Sequence, residues 1–337
     1  MASIGVIGSG TWGTALSILL AGNGHQVDLW SALESEVAAL SRTRIHPNLP
    51  KARIPDSIRV TGNLKEAMED KDLLVLSVPS VFVRQTAGRM REFLKPGQVV
   101  VNVAKGIEEG SLMTLSQVIE EELPDCQVAA LSGPSHAEEV SQGLPTTCVA
   151  GAHKRHVAEL VQSVFMSGVF RVYTNPDLLG IELGGALKNV IALAAGIADG
   201  LGFGDNTKAA LITRGIAEIS RLGMAMGGKA ETFAGLTGIG DLIVTCASMH
   251  SRNRRAGILI GQGLSMEEAM KEVHMVVEGV YSAKAARALA EKYQVSMPIV
   301  EQVNQVLFEG QPAKEAVTGL MLRDKCTENP SMEWEEG

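Results

Sequence analysis

Aromatic side chains are scarce in this sequence: 3 Trp, 3 Tyr and 7 Phe among 337 residues. A core built mainly on large rings is therefore excluded. The 36 glycines and many alanines point instead to tight turns and close backbone packing. Cysteine is rarer still. The four thiols, Cys126, Cys148, Cys246 and Cys326, form no CxxC pair, which argues against a metal site or a disulfide framework. Reduced thiols in a cytoplasmic protein fit best.

Positive charge is in deficit as well. Against 38 Asp and Glu stand 30 Lys and Arg, a net charge of -8, with a sequence pI near 5.5. A general nucleic-acid binder, whose footprint is broadly basic, is disfavoured. Long apolar runs are missing too. The N-terminal MASIGVIGSG lacks the basic segment and unbroken apolar stretch of a signal peptide. The most apolar later stretch, GGALKNVIALAAGIA (184–198), is short for a membrane span and carries Lys188 and Asn189 at its middle. It reads as a buried helix.

What is present is a regular alternation. Short β-branched runs at 3–7, 26–30, 58–60, 73–78, 99–103, 128–131, 146–150 and 170–173 read as strands. Helical patterns lie between several of them, at 14–22, 81–94, 112–123 and 154–164. Apolar strands alternating with helices predict an α/β fold with a mostly parallel sheet, covered on both faces. After TNPD (174–177) the pattern becomes helical throughout. The expected organisation is a Rossmann-like dinucleotide-binding domain over 1–178, an all-helical substrate domain over 179–322 and a polar tail over 323–337.

Residues 8–13, GSGTWG, follow the first strand and open a helix. In GxGxxG, Gly8 permits the tight turn, Gly10 admits a pyrophosphate and Gly13 allows helix and strand to touch. Ser9, Thr11 and Trp12 complete the turn. The acidic reader of the adenosine ribose is not evident, because the second strand, QVDLWSAL, has no carboxylate at its tip and Glu34 comes late. No arginine sits there either, so NAD and NADP both remain open.

Other strand ends add polar groups on the side where open α/β sheets bind ligands. Lys105 in NVAKG is either an ordinary loop lysine or a cation aimed at the cofactor. In SGPSH, Pro134 and Ser135 look like a helix start whose amides could face an anion, and His136 reads as a capping or surface residue. Lys188 either snorkels to solvent or is buried by design. Burial would lower its pKa toward the range useful for proton exchange with a carbonyl oxygen. Asp241, in TGIGD, either caps a helix or bonds Lys188 or a substrate hydroxyl.

The stretch SMHSRNRRAG (248–257) packs Arg252, Arg254 and Arg255 into four positions. A guanidinium grips phosphate or carboxylate through paired N–H donors, though such a run is also commonly a solvated helix end.

Taken together, GSGTWGTALS, NVAKGIE, SGPSHAEEV, GGALKNVIALAAGIADGLGFGDNTKAALITRG, LTGIGDLIVTC, SRNRRAG and VVEG resemble the NAD(P)-dependent glycerol-3-phosphate dehydrogenases of the soluble bacterial type. The resemblance implies reversible reduction of dihydroxyacetone phosphate to sn-glycerol 3-phosphate by NAD(P)H, for phospholipid synthesis, with no metal. It implies Lys188 as proton donor and acceptor, and Lys105 near both ligands. Gly133, Ser135, Asp241, Ser251, Arg252 and Asn253 would form the substrate site. Ala137, Val276, Glu278 and Arg252 would join the glycine turn at the cofactor. A cytoplasmic homodimer is the family expectation. One departure stands out: family members often carry His or Arg just after the second-strand tryptophan, where this chain has Ser31 and Ala32, which weakens the case for a strong NADP preference unless Arg42 or Arg44 compensates. Arg254 and Arg255 have weaker claims to the ligand, as ties from the helix to its neighbours. The nearest rival is a reductase of similar layout acting on a hydroxy acid.

Overall fold

The apolar runs form a single eight-stranded sheet in the computed structural model, which describes residues 1–325, 327 and 328. Its first half comprises β1 (Ser3–Ile7), α1 (Thr11–Gly22), β2 (Gln26–Trp30), α2 (Glu34–Thr43), β3 (Arg59–Thr61), α3 (Leu64–Met68), β4 (Leu73–Leu76), α4 (Val83–Met90) and β5 (Val99–Asn102). There follow α5 (Leu115–Glu122), β6 (Gln127–Ser132), α6 (Ala137–Val140), β7 (Thr146–Ala152), α7 (Arg155–Phe165) and β8 (Phe170–Asn175). The strand order is β3-β2-β1-β4-β5-β6-β7-β8. All neighbours run parallel except β6 and β7. β1 and β4 are buried from end to end or nearly so, as expected for strands covered on both faces.

The order reverses direction between β1 and β4. Ligands settle at such switch points, just beyond the carboxyl ends of the strands. Here the β1–α1 turn lies against the end of β4. A side chain on Gly8, whose φ is +121, would sit 2.6 Å from the Ser77 carbonyl oxygen. Only glycine fits.

Several helix limits differ from expectation for local reasons. The pattern at 112–123 starts as a helix only at Leu115, because Thr114 forms a capping box with Gln117 and Leu112 holds a left-handed φ of 61. The pattern at 81–94 breaks into α4 flanked by two 3-10 turns. The helix expected to open at Pro134 begins at Ala137 instead and lasts four residues. Ser135 does not cap it, since its hydroxyl turns back to the Gly133 carbonyl at 2.9 Å.

From residue 178 on, the described chain is helical. It comprises α8 (Leu178–Gly200), α9 (Asp205–Ala225), α10 (Ala230–Phe233), a π-helical turn (Leu236–Gly240), α11 (Asp241–Ala247) and α12 (Arg252–Gly261). α13 (Met266–Val273), α14 (Glu278–Lys292), α15 (Pro298–Phe308) and α16 (Ala313–Met321) complete it. Much of the expected polar tail, with Cys326, falls outside the described residues, and Cys126, Cys148 and Cys246 are unbridged.

α8 is the axis of this half. With 23 residues it is long enough to cross a bilayer, longer than the apolar stretch in the sequence suggests, yet 94% of its apolar window is buried inside the fold. A helix apolar on all sides needs neighbours all round, and α9, α11, α12 and α14 supply them. Asp177 caps its first turn by accepting the Gly180 amide at 3.0 Å. α12 crosses at backbone contact. A side chain on Gly196 would sit 2.1 Å from the Arg254 carbonyl oxygen, and one on Gly257 would sit 2.2 Å from that of Leu193. Gly200 and Gly261 continue the same seam. The helix of Lys188 and the helix of Arg252 are thus spaced by their backbones.

Candidate active site

A cavity of about 940 Å³ opens where the carboxyl ends of the strands meet the helical half. Gly10, Thr11 and Trp12 line it at the β1–α1 turn, while Gly8, Ser9 and Gly13 lie behind that surface. A side chain on Gly13 would come within 1.9 Å of the Gly8 carbonyl oxygen, so helix and turn are pressed together. Around Gly10 the space is open, with nothing within 4 Å of a would-be Cβ. Gly10 is the N-cap of α1 and offers no side-chain cap, which leaves the first amides of the helix free for an anion. The turn fits a dinucleotide pyrophosphate.

The opposite end of the cavity is built on charge. Lys188 is buried on α8. Its Nζ donates to Asp241 Oδ1 at 2.5 Å and to Thr245 Oγ1 at 2.7 Å. Lys105, beyond the end of β5, reaches the same carboxylate from the other side, 2.6 Å from Oδ2, and also donates to the Gly133 carbonyl at 2.9 Å. Both lysines line the cavity. Asp241 and Gly133 stand behind them and hold them. The alternatives left open for Asp241 resolve here: it is the first residue of α11, and its side chain bonds both lysines.

Burial pushes Lys188 down to about 8, with the charge of Lys105 adding to the effect and Asp241 opposing it. Asp241 is also buried, which alone would raise its pKa, but the two ammonium groups outweigh this and hold it below the usual carboxylate range. The result is an ionised carboxylate that orients two cations and a lysine that can give up its proton near neutral pH.

The arginine stretch divides. Arg252 lines the cavity and spends one hydrogen bond, at 3.1 Å, on the Val276 carbonyl. The other N–H donors of its fork remain. Ser251 also lines the cavity while its hydroxyl caps α12, accepting from the Arg254 amide at 3.2 Å. Asn253 lines it too, but its amide already bridges Asn189 Oδ1 at 2.9 Å and the Gly279 N–H at 2.8 Å. Arg254 points away, to Asp199 Oδ2 at 2.8 Å and the Ala247 carbonyl at 2.7 Å, tying α12 to α8. Arg255, set aside with Arg254 in the sequence, does line the cavity. The signal was its spacing, since residues three apart on a helix share a face.

Ser135, Ala137, Val276 and Glu278 also line the cavity. Glu278 accepts the Ser80 amide at 3.1 Å and the Ser80 hydroxyl, joining the first turn of α14 to the end of β4. Two residues missed by sequence reasoning act from behind. Glu182, nearly two turns before Lys188 on α8, accepts from Asn102 Nδ2 at 2.9 Å and the Ser116 amide at 3.0 Å. Asn102 in turn holds the Ala104 amide, at 3.1 Å, beside Lys105. His136 lines the cavity with a buried Nε2 that has no hydrogen-bond partner among the described residues. Burial, then the charges of Lys188 and Lys105, push it down to about 4, so it stands neutral.

A Rossmann-like sheet with a glycine turn at its switch point, a helical half and a lysine–carboxylate–lysine cluster defines a dinucleotide-linked oxidoreductase. Family models agree in detail: residues 3–158 match the N-terminal part, and residues 177–318 the C-terminal part, of NAD-dependent glycerol-3-phosphate dehydrogenase. The chain belongs to that family. It is 64% identical to a glycerol-3-phosphate dehydrogenase [NAD(P)+] of Agathobacter rectalis, over 99% of this chain and 100% of that protein. Its counterpart in Fusobacterium nucleatum is 60% identical over 97% and 99%. The crystal structure of glycerol-3-phosphate dehydrogenase from Coxiella burnetii superposes with a TM-score of 0.92 at 36% identity, covering 96% of this chain and 99% of that one.

Proposed function

We propose that the chain reduces dihydroxyacetone phosphate reversibly to sn-glycerol 3-phosphate, with NAD(P)H as reductant and glycerophospholipid synthesis as the destination. The observation that carries the substrate assignment is the pairing of a proton-active Lys188 with Arg252 on one cavity wall. A carbonyl with a nearby phosphate is the substrate class that needs both.

Gly10, Thr11 and Trp12 would hold the cofactor at the helix end, with Ala137, Val276 and Glu278 around it. When bound, the reduced nicotinamide supplies the hydride. Arg252, helped by Ser251 and the backbone N–H of Asn253 in the first turn of α12, grips the substrate phosphate and fixes the carbonyl in place. Lys188 protonates the carbonyl oxygen as negative charge develops there, and Lys105 stabilises that charge from the second side. Asp241 orients both ammonium groups, Ser135 lines the cavity beside them, and the Gly133 carbonyl holds Lys105 and Ser135 from behind. In the oxidative direction, neutral Lys188 accepts the hydroxyl proton.

The division of labour would put most of cofactor binding in residues 1–178 and most of the substrate site in 179–322, with Lys105, Gly133 and Ser135 crossing one way and Val276 and Glu278 the other. A cytoplasmic homodimer completes the reading, and sedimentation tests the oligomer. Steady-state kinetics with dihydroxyacetone phosphate and each reduced cofactor test the activity. Turnover of a hydroxy acid, with none of dihydroxyacetone phosphate, would overturn it.

A further inference from the structure

The sequence offers no carboxylate at the tip of β2, and the structure supplies one from elsewhere. Glu36 lies in the first turn of α2 and lines the cavity. Its carboxylate is turned back toward the glycine turn. Ser9 Oγ, inside GSG, donates to Glu36 Oε2 at 2.6 Å, and Ser31 Oγ, directly after β2, donates to the same oxygen. The Ser31 hydroxyl also accepts the Leu33 amide at 3.2 Å, which fixes the serine itself. Oε1 has no hydrogen-bond partner among the described residues. One oxygen is pinned by two hydroxyls and the other is free.

That place matters in a fold of this topology. The space between the first glycine turn and the end of the second strand takes the adenosine ribose, and an acidic side chain there accepts from its 2′-hydroxyl. A 2′-phosphate in the same place needs a cation instead. Arg44 is committed elsewhere, to the Ile58 carbonyl at 2.7 Å and toward Asp56 at 3.9 Å. Arg42 does not line the cavity. His46 lines it near Glu36 but burial lowers its pKa, so it brings little charge at neutral pH. Lys51 is the cation that lines the cavity from the loop after α2, and it is exposed.

We infer that Glu36, held by Ser9 and Ser31, selects NAD(H) over NADP(H) by accepting from the ribose 2′-hydroxyl and repelling a 2′-phosphate. The inference rests on the dinucleotide reading of the cavity and reaches beyond it, to which dinucleotide the chain uses. Like-charge juxtaposition in a partly buried site is costly, and a hydroxyl acceptor left facing a phosphate loses its bond as well.

The test is binding, read from nicotinamide fluorescence without substrate, on wild type, Glu36→Gln and Lys51→Ala. Wild type should bind NADH more than about tenfold tighter than NADPH. Glu36→Gln should shrink that ratio by at least about fivefold, chiefly by tightening NADPH. Lys51→Ala should leave NADPH the weaker ligand. A wild-type preference below tenfold, or a ratio that Glu36→Gln shifts by less than fivefold, overturns the inference. If Glu36→Gln does not fold, Ser31→Ala decides, since it removes one of the two hydroxyls that hold the carboxylate and should loosen NADH at least about threefold; unchanged NADH binding overturns the inference. Failure to bind either dinucleotide would instead overturn the cofactor reading, and the two failures are therefore distinct.

Discussion

Lys188 and Lys105 hold opposite oxygens of one carboxylate, that of Asp241, at 2.5 and 2.6 Å. One lysine comes from the core helix of the helical half and the other from a loop at the end of a sheet strand. Asp241 therefore joins the two halves of the molecule at the candidate active site.

Removing the amine should remove the proton transfer. Lys188→Ala is expected to lower kcat by about 100-fold or more, the scale of general acid–base catalysis, while cofactor binding survives. Stopped-flow hydride transfer alongside cofactor titration measures both. Near-normal turnover would take Lys188 out of the proposed role.

The pH dependence follows from the same group. With Lys188 near 8, kcat/KM for carbonyl reduction should be level below pH 8 and fall above it, because the reduction needs the protonated amine. Alcohol oxidation needs the neutral amine and should rise toward pH 8. The charge of Asp241 raises Lys188, so Asp241→Asn should move both midpoints to lower pH. Midpoints that stay put in the variant would show that another group controls the profile.

The two arginines should separate cleanly. Arg252→Ala is expected to raise KM for dihydroxyacetone phosphate by at least about tenfold, the loss of one charge-assisted contact. Arg254→Ala should leave that KM within about threefold and lower stability by about 1–3 kcal/mol, since Asp199 loses a buried partner but keeps Lys208 at 2.9 Å. Chemical denaturation and initial rates on the same preparations check the contrast.

Glu218 gives a stability prediction. It is buried on α9 and accepts the Ile299 amide at 2.9 Å, and burial raises it from 4.5 to about 7. A raised carboxylate favours the folded state while protonated. Its contribution is present below about pH 4.5 and is lost as pH climbs through 7. Glu218→Gln removes that loss. Its stability relative to wild type should therefore rise by up to about 3 kcal/mol between pH 4.5 and pH 8. Denaturant melts at several pH values would read it, and a flat difference would refute it.

The fold was legible because its signals are local. Eight apolar runs became eight strands within a few residues, and GSGTWG sits where the sheet order reverses. Lys188 stood out as a charge inside an apolar helix. What escaped was pairing across distance. Asp241 and Lys105 lie 136 positions apart, and no periodicity joins them. Glu36 was overlooked because the expected reader belongs at a strand tip, whereas this one folds back from the following helix. Glu182 lies just before the apolar stretch 184–198, where a charge does not stand out, and Arg255 sits beside Arg254 in sequence although helix spacing aligns it with Arg252.

The glycine seam between α8 and α12 has a consequence for how such a protein can change. Most packed interfaces drift, because a larger side chain on one side can be matched by a smaller one opposite. At Gly196 and Gly257 the neighbour is a carbonyl oxygen, and no substitution can trim a backbone. The spacing between the helix of Lys188 and the helix of Arg252 is thus set by backbone against backbone, at residues that have no side chain to vary.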